Sequence, residues 1–348
     1  MINIDNKKVP QLLYLQNVIY SDNKFYISSK SVKDIDNIDL YLDNYIIYDD
    51  ISINTTKIYN NPILITRSLQ TYCFIHALID TLFPIFWTIQ DIKEYYKENR
   101  DIQLFIRNYE FKHWRRKYLP GIDTKKSTYY GVYKLLIETI TNKNIIFEYL
   151  IKNDQTFLIE HCYIYILDDK YQRTIHNHYK YWPRKQTENE ILYSDNIIKN
   201  KLQCFTSHIK NYFNISDNLD NNILVTKKKL VIINRKGQAK GRNLHDIADE
   251  LNDICSKNNK YIYNGIIYLE DLNFKDQILV FKNNDIIISP HGAGLTHCIW
   301  FNNKIIIDIF FNKQNNVMFK RLNAIVGNEI IHISRENIIN YMKNEFLQ

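Results

Sequence analysis

An apolar run that ends in a glycine-rich turn constrains this chain more than any other feature. Asp285-Ile286-Ile287-Ile288 leads directly into Ser289-Pro290-His291-Gly292-Ala293-Gly294-Leu295-Thr296-His297. Continuous branched aliphatics read as a strand buried on both faces. Pro-His-Gly-Ala-Gly then supplies small residues where the backbone must turn sharply into a helix starting near Leu295. At such a helix start, unpaired N–H groups and the positive end of the helix dipole converge on an anion such as a pyrophosphate. A bare Gly-x-Gly often does no more than let a strand turn, so the reading needs the context around it.

That context is regular. Leu230 to Asn234 predicts a strand, and Leu244, Ile247, Ala248, Leu251 and Ile254 then recur at helical spacing, with Asn243 as N-cap and Asp246 three residues on. Gly265 to Leu269 predicts the next strand, Phe274 to Phe281 a helix capped by Asn273, and Ile305 to Phe310 a further strand. Alternation of short apolar strands with amphipathic helices implies a parallel, doubly wound sheet whose ligands sit above the carboxyl ends of its strands. The first half is less regular. It offers strands at Tyr45 to Tyr48, Ile63 to Ile65 and Leu104 to Ile106, a helix from about His76 to Tyr96, and apolar segments at Phe157 to Ile159 and Tyr163 to Leu167, which make a mixed α/β domain.

The longer motif resembles the signature of glycosyltransferase family 61: His-Gly-Ala-Gly-Leu-Thr after a buried strand, preceded by Leu269-Glu270-Asp271 and Phe274-Lys275-Asp276-Gln277-Ile278. A second block, from Phe74-Ile75-His76 through Asp80 to Phe83-Pro84-Ile85-Phe86, is similar to the family's His-x-x-x-Asp-x-x-x-Pro-Leu-Phe element in its eukaryotic spacing, with Ile85 in place of the leucine. A third, Val231-Ile232-Ile233-Asn234-Arg235-Lys236, resembles the basic strand end that opens the family's C-terminal domain. The resemblance implies an α/β protein of two Rossmann-like lobes in the GT-B arrangement, with a catalytic cleft between them. Its divisions are an acceptor-side domain over 1–187, a connecting helix and loop over 188–222, a nucleotide-sugar domain over 223–335, and a terminal helix over 336–348. It also implies an inverting transferase that takes N-acetylglucosamine, or next xylose, from a UDP-sugar co-substrate to a hydroxyl of a glycan or protein. The alternative is a silent relative that binds the sugar nucleotide or a glycan without turnover.

Sugar transfer from a nucleoside diphosphate requires charge stabilisation on the departing diphosphate and a base for the acceptor hydroxyl. Arg235, Lys236, Lys240 and Arg242 follow the first strand of the parallel sheet and are candidates for neutralising the leaving group; a solvated basic loop is the other reading of Lys236 and Lys240. Backbone amides of Gly292, Ala293, Gly294, Leu295 and Thr296 make the anion-binding turn, with His291 donating to a phosphate oxygen. Glu270 reads either as an acceptor for ribose hydroxyls or as a surface acid ahead of a helix, and Asp308 is a weaker candidate of the same kind. For the base, Asp80 lies one helical turn after His76, so both fall on one helix face, with Asp80 taking the proton and His76 positioning the acceptor. The other reading of Asp80 is an acid stabilised by the helix dipole.

Charge and cysteines narrow the field further. A net charge of +7 over 348 residues suits an anionic nucleotide without indicating a nucleic-acid partner. Five scattered cysteines form no Cys-x-x-Cys pair, and neither His176-Asn177-His178 nor Asp168-Asp169 comes with a readable third ligand, so no metal site or disulfide framework is expected. No cofactor beyond the sugar nucleotide is required, and dependence on a divalent metal is left open. Lys112-His113-Trp114-Arg115-Arg116-Lys117 reads as a solvated helix face. The amino terminus has no apolar signal core and no run approaches the roughly 18 apolar residues of a membrane span, so the expected location is the cytoplasm. The heavy use of Ile, Asn, Lys and Tyr is that of AT-rich coding, as in amoebae or large DNA viruses, whose host cytoplasm would then be the site.

Overall fold

The computed structural model describes residues 12–32, 45–49, 55–67, 74, 76–107, 136, 138–141, 145–147, 151–152, 154–165, 195–217, 227–236, 243–310 and 317–346. The chain divides into two compact units, Met1–Asn177 with Gln186–Leu192, and His178–Lys185 with Tyr193–Gln348. Each carries one β-sheet flanked by helices, giving a mixed α/β architecture.

The first unit is built on an eight-stranded sheet: β1 (Leu12–Ser21), β2 (Lys24–Ser28), β3 (Tyr45–Tyr48), β4 (Lys57–Tyr59), β5 (Ile63–Arg67), β6 (Gln103–Arg107), β7 (Ile146–Phe147) and β8 (Phe157–Tyr165). Its order is β3-β2-β1-β8-β5-β6-β7, with β4 beside β8. Strands β8, β5, β6 and β7 run parallel, whereas β1 is antiparallel to both β2 and β8, so the sheet is mixed. Hairpin β1–β2 turns through Asp22 and Asn23, both at positive φ (50° and 60°), the geometry whose twist matches that of paired strands. Leu15, Val18, Tyr20, Phe25, Ile63, Ile65, Phe105, Phe157 and Ile159 close its core.

The second unit holds a five-stranded sheet of β9 (Lys228–Asn234), β10 (Tyr261–Tyr268), β11 (Ile286–Pro290), β12 (Ile305–Phe310) and β13 (Glu329–Ser334). All pairings are parallel, and the order is β10-β9-β11-β12-β13. Leu230, Ile232, Ile286, Ile288, Ile307 and Ile309 pack with Ile247, Leu251, Ile338 and Met342 from helices His245–Lys257 and Ile338–Phe346. The alternate residues Val231, Ile287 and Ile306 are equally buried, so the sheet is covered on both faces, as a parallel sheet must be. Helix Asp195–Tyr212 belongs to this unit: Phe205 and Ile209 are buried, and Lys210 donates to the carbonyl of Trp300.

The β9 and β11 strands and the helix capped by Asn273 lie where the periodicity places them; the Asn273 side chain accepts from the amide of Asp276 at 3.0 Å. Asn243 is displaced from its expected role. The helix caps on Leu244, and the Asn243 side chain accepts instead from the His245 amide and the Asn234 amide group. The helix expected to begin near Leu295 starts two residues earlier, at Ala293, and is a tighter 3₁₀ helix to Trp300. Strand β13 and helix Val317–Val326, which ends on Gly327 at φ +91°, have no counterpart in the sequence reading.

Candidate functional site

Strand order decides where a ligand can sit in the second unit. From the first strand, β9, the chain goes to one neighbour, β10, and then returns to the other side for β11, β12 and β13. Loops leaving β9 and β11 therefore diverge, and the crevice between their carboxyl ends is the topological switch point where ligands of open α/β sheets bind. Register pairs Ile286 with Leu230 and Ile288 with Ile232, so both strands end level, one at Asn234 and the other at Pro290.

The two chain segments meet over this crevice. Gly292 has φ +156° and ψ −174°, a region open essentially to glycine alone. A Cβ placed there would overlap the Arg235 guanidinium, so the arginine from the end of β9 lies directly against the glycine after β11. The Arg235 backbone is held by its neighbour: its amide donates to the Asn234 side-chain oxygen at 3.0 Å, while the Asn234 side-chain nitrogen donates to Asn243 and to the Tyr268 hydroxyl. His245 Nε2 bonds that same hydroxyl at 2.7 Å. Asn234, Tyr268 and His245 thus form a hydrogen-bonded set beside the Arg235 backbone, of which the sequence motifs named Asn234 alone.

After Gly292 the backbone enters the 3₁₀ helix. The Leu295 amide donates to the Gly292 carbonyl at 3.0 Å, leaving the amides of Ala293 and Gly294 without an intrahelical acceptor at the positive end of the helix. Gly294 is also needed for space, since a Cβ there would come within 3.2 Å of Leu269 Cδ1. Leu295 and Thr296 are fully buried, and the Thr296 hydroxyl donates to the Ala293 carbonyl. His297 is likewise a core residue: it stacks on Phe281 and accepts from Trp300 Nε1, and burial pushes its pKa down to about 3.

The remaining candidates separate. Glu270 is exposed on a short turn, Leu269–Asp271, at the end of β10. Its neighbour Asp271 ion-pairs with Lys236, whose ammonium lies 5.6 Å over the Tyr268 ring. Lys240 and Arg242 lie outside the described residues, as do His176 to His178, Asp168, Asp169 and the 112–117 basic patch. His291 is held by Asp308, which is fully buried and engaged by two imidazoles, so Asp308 does not serve as an acceptor for ribose. His332 on β13 is the second of these, and the sequence reading missed it.

In the first unit, His76 and Asp80 fall on a stretch that is helical as expected but π-helical from His76 to Leu82, continuing as an α-helix from Phe83 to Tyr95. Pro84 accounts for the change of pitch. It has no N–H to give the Asp80 carbonyl four residues back and its ring crowds that carbonyl, whereas a π turn reaches one residue further. The side chains of His76 and Asp80 lie outside the described residues.

The second unit is thus a parallel α/β sheet with an arginine seated on a glycine turn at its switch point, where open α/β sheets bind their ligands. The chain belongs to the family Glycosyltransferase 61, whose profile matches residues 74–307, from the Phe74 block through the glycine turn. The EGF domain-specific O-linked N-acetylglucosamine transferase of Drosophila melanogaster is 35% identical over 79 residues, 23% of this chain. That match spans 15% of the relative's own length. Among the described residues, no helix is long and apolar enough to cross a membrane, and no three His, Cys, Asp or Glu converge as a metal site.

Proposed function

We propose that this chain transfers a sugar, N-acetylglucosamine or next xylose, from a UDP-sugar to a hydroxyl of a glycan or protein, with inversion and in a GT-B arrangement. The second unit holds the donor and the first unit receives the acceptor. What carries the reading is the Arg235 guanidinium packed on Gly292 at the switch point, beside the Ala293 and Gly294 amides. Positive charge and backbone donors meet there, where a pyrophosphate has its best electrostatic environment. Glu270, at the end of the neighbouring strand, is placed to accept from the ribose, and Lys240 and Arg242, which follow Arg235 in sequence, add positive charge.

In the reaction the acceptor oxygen attacks the anomeric carbon as the bond from that carbon to the diphosphate oxygen breaks. The electron pair leaves with the diphosphate, whose growing negative charge Arg235 and the turn amides stabilise, and the acceptor proton passes to Asp80, with His76 orienting the hydroxyl. Family membership and the relative's printed activity support the donor class; the Asp80 to Pro84 spacing supports the base.

The test is thermal. UDP in roughly 100-fold excess over its dissociation constant should add about 2.7 kcal/mol of stability, and a set of UDP-sugars should identify the donor. An unchanged melting temperature with millimolar UDP and other nucleoside diphosphates sinks the donor site. A stabilising sugar nucleotide that is never turned over with any acceptor identifies a silent binder instead.

A further inference from the structure

One buried carboxylate in the second unit serves two imidazoles. Asp308 sits within β12, in register with Ser289 on β11 and His332 on β13. Its Oδ2 meets His291 Nδ1 at 2.9 Å and His332 Nδ1 at 3.2 Å, and its Oδ1 lies 3.1 Å from His291 Nδ1. Phe310 stacks on the His291 ring at 5.0 Å and lies 5.1 Å from His332, while Phe319 meets His291 edge-on. Both Asp308 and His332 lie beyond residue 307, where the family match ends.

The proton count follows from chemistry. A carboxylate only accepts, so both Nδ1 atoms must carry hydrogen, and any additional proton goes to an Nε2 and creates an imidazolium. With two neutral rings the cluster holds one buried negative charge; with one ring protonated it is neutral. Burial works against the Asp308 charge, but the hydrogen bonds from His291 and His332 outweigh it and hold its carboxyl below the ordinary range. A proton gained by the pair therefore adds positive charge next to Gly292, where an anion is expected. Ligand and proton each favour the binding of the other, and that coupling is reciprocal.

We propose that Asp308 is a positioning residue that, through His291 and His332, couples binding of a nucleotide diphosphate to the uptake of one proton. This rests on the donor-site reading above. Among the described residues, the groups facing the cluster include Asp308 from β12 and His332 from β13, Arg235 against Gly292 from the end of β9, Phe310 and Phe319 against the His291 ring, and the buried Cys298 thiol of the 3₁₀ helix, which feels the Asp308 charge. Burial holds that thiol far above its ordinary range, and arginine keeps its charge, so the proton taken up goes to one of the two imidazoles.

The experiment is calorimetric titration with UDP-N-acetylglucosamine and UDP-xylose, diphosphate diesters without an ionisation of their own near neutrality, in buffers of different ionisation enthalpy. The protein should take up protons on binding, and its affinity should fall by up to about tenfold per pH unit as pH rises through the imidazole range. Asp308→Asn should lose the uptake and bind with a flat pH profile. If that variant does not fold, the double variant His291→Gln with His332→Gln should give the same flat profile. Binding without proton uptake, or a pH profile unchanged in either variant, overturns the inference alone. Failure of both probes and of UDP to bind at any pH overturns the donor-site reading and the inference with it.

Discussion

The turn at Gly292 and the helical stretch at His76 use their residues in opposite ways. Around Gly292 the side chains are consumed by the structure: Leu295, Thr296 and His297 are buried, Thr296 and His297 are hydrogen-bonded internally, and the turn offers backbone amides with no intrahelical acceptor. At His76 the backbone is bent out of α geometry by Pro84, and the proposed function assigns the chemistry there to the side chains of His76 and Asp80. A motif can thus be required because nothing larger fits, or because a particular functional group is needed. The two kinds should fail differently when changed.

The largest expected effect is at Asp80. Asp80→Asn keeps size and polarity but removes basicity, so turnover should fall by roughly 10²–10⁴-fold while UDP still raises the melting temperature. Near-normal turnover in a folded variant would move suspicion to His76. Gly292→Ala should do the reverse, because the new methyl displaces the Arg235 guanidinium and strains the backbone. The roughly 2.7 kcal/mol of stabilisation from saturating UDP should disappear, and Arg235→Ala should weaken donor binding and slow transfer together. Full UDP stabilisation of Gly292→Ala would break the contrast between the two motifs.

A smaller effect concerns pH. His297 is depressed to about 3 in the folded state, so between that value and the usual imidazole range near 6.5 the unfolded chain binds the extra proton. Stability should fall as pH drops through that window, by up to about 1.4 kcal/mol per unit from this residue. Denaturant melts of the wild type and His297→Gln, which keeps an acceptor for Trp300, should diverge there; parallel curves would refute the assignment. Smallest of all is Lys236→Ala. Both partners of its ion pair with Asp271 are about half exposed, so stability should change by less than about 1 kcal/mol.

Legibility in the sequence followed the same division. Strands β9 and β11 could be read because parallel strands buried on both faces are aliphatic runs, β12 because its isoleucines continue past Asp308, and the 274–283 helix because Asn273 is a true cap. Hairpin β1–β2 was hidden because its turn is Asp22-Asn23 with no glycine, in a chain where Asn fills many polar positions. Pro84 was the available signal for the π turn, and Gly327-Asn328 for the end of the helix before β13. Asn234, Tyr268, His245 and His332 could not be found locally. Each acquires its role from a partner 9 to 34 residues away, a pairing that only the folded chain creates, by strand register for His332 and by the helix before β10 for His245.

The pairing of β1 with β8 also sets a timetable for synthesis. Leu12 lies opposite Tyr165, and the register continues to Tyr20 opposite Phe157. The β1–β2 hairpin is finished early, yet its other long edge has no strand to meet until the chain reaches β8. At typical translation rates that interval is on the order of ten seconds, during which an apolar strand edge faces the ribosome exit and its chaperones. In the second unit each new strand joins a neighbour already made: β10 and then β11 pair with β9, β12 with β11, and β13 with β12. Protease pulses on stalled nascent chains should find the 12–28 hairpin cleavable until residue 165 has left the exit tunnel and protected afterwards. Protection at shorter lengths would mean that another segment shields the edge in the meantime.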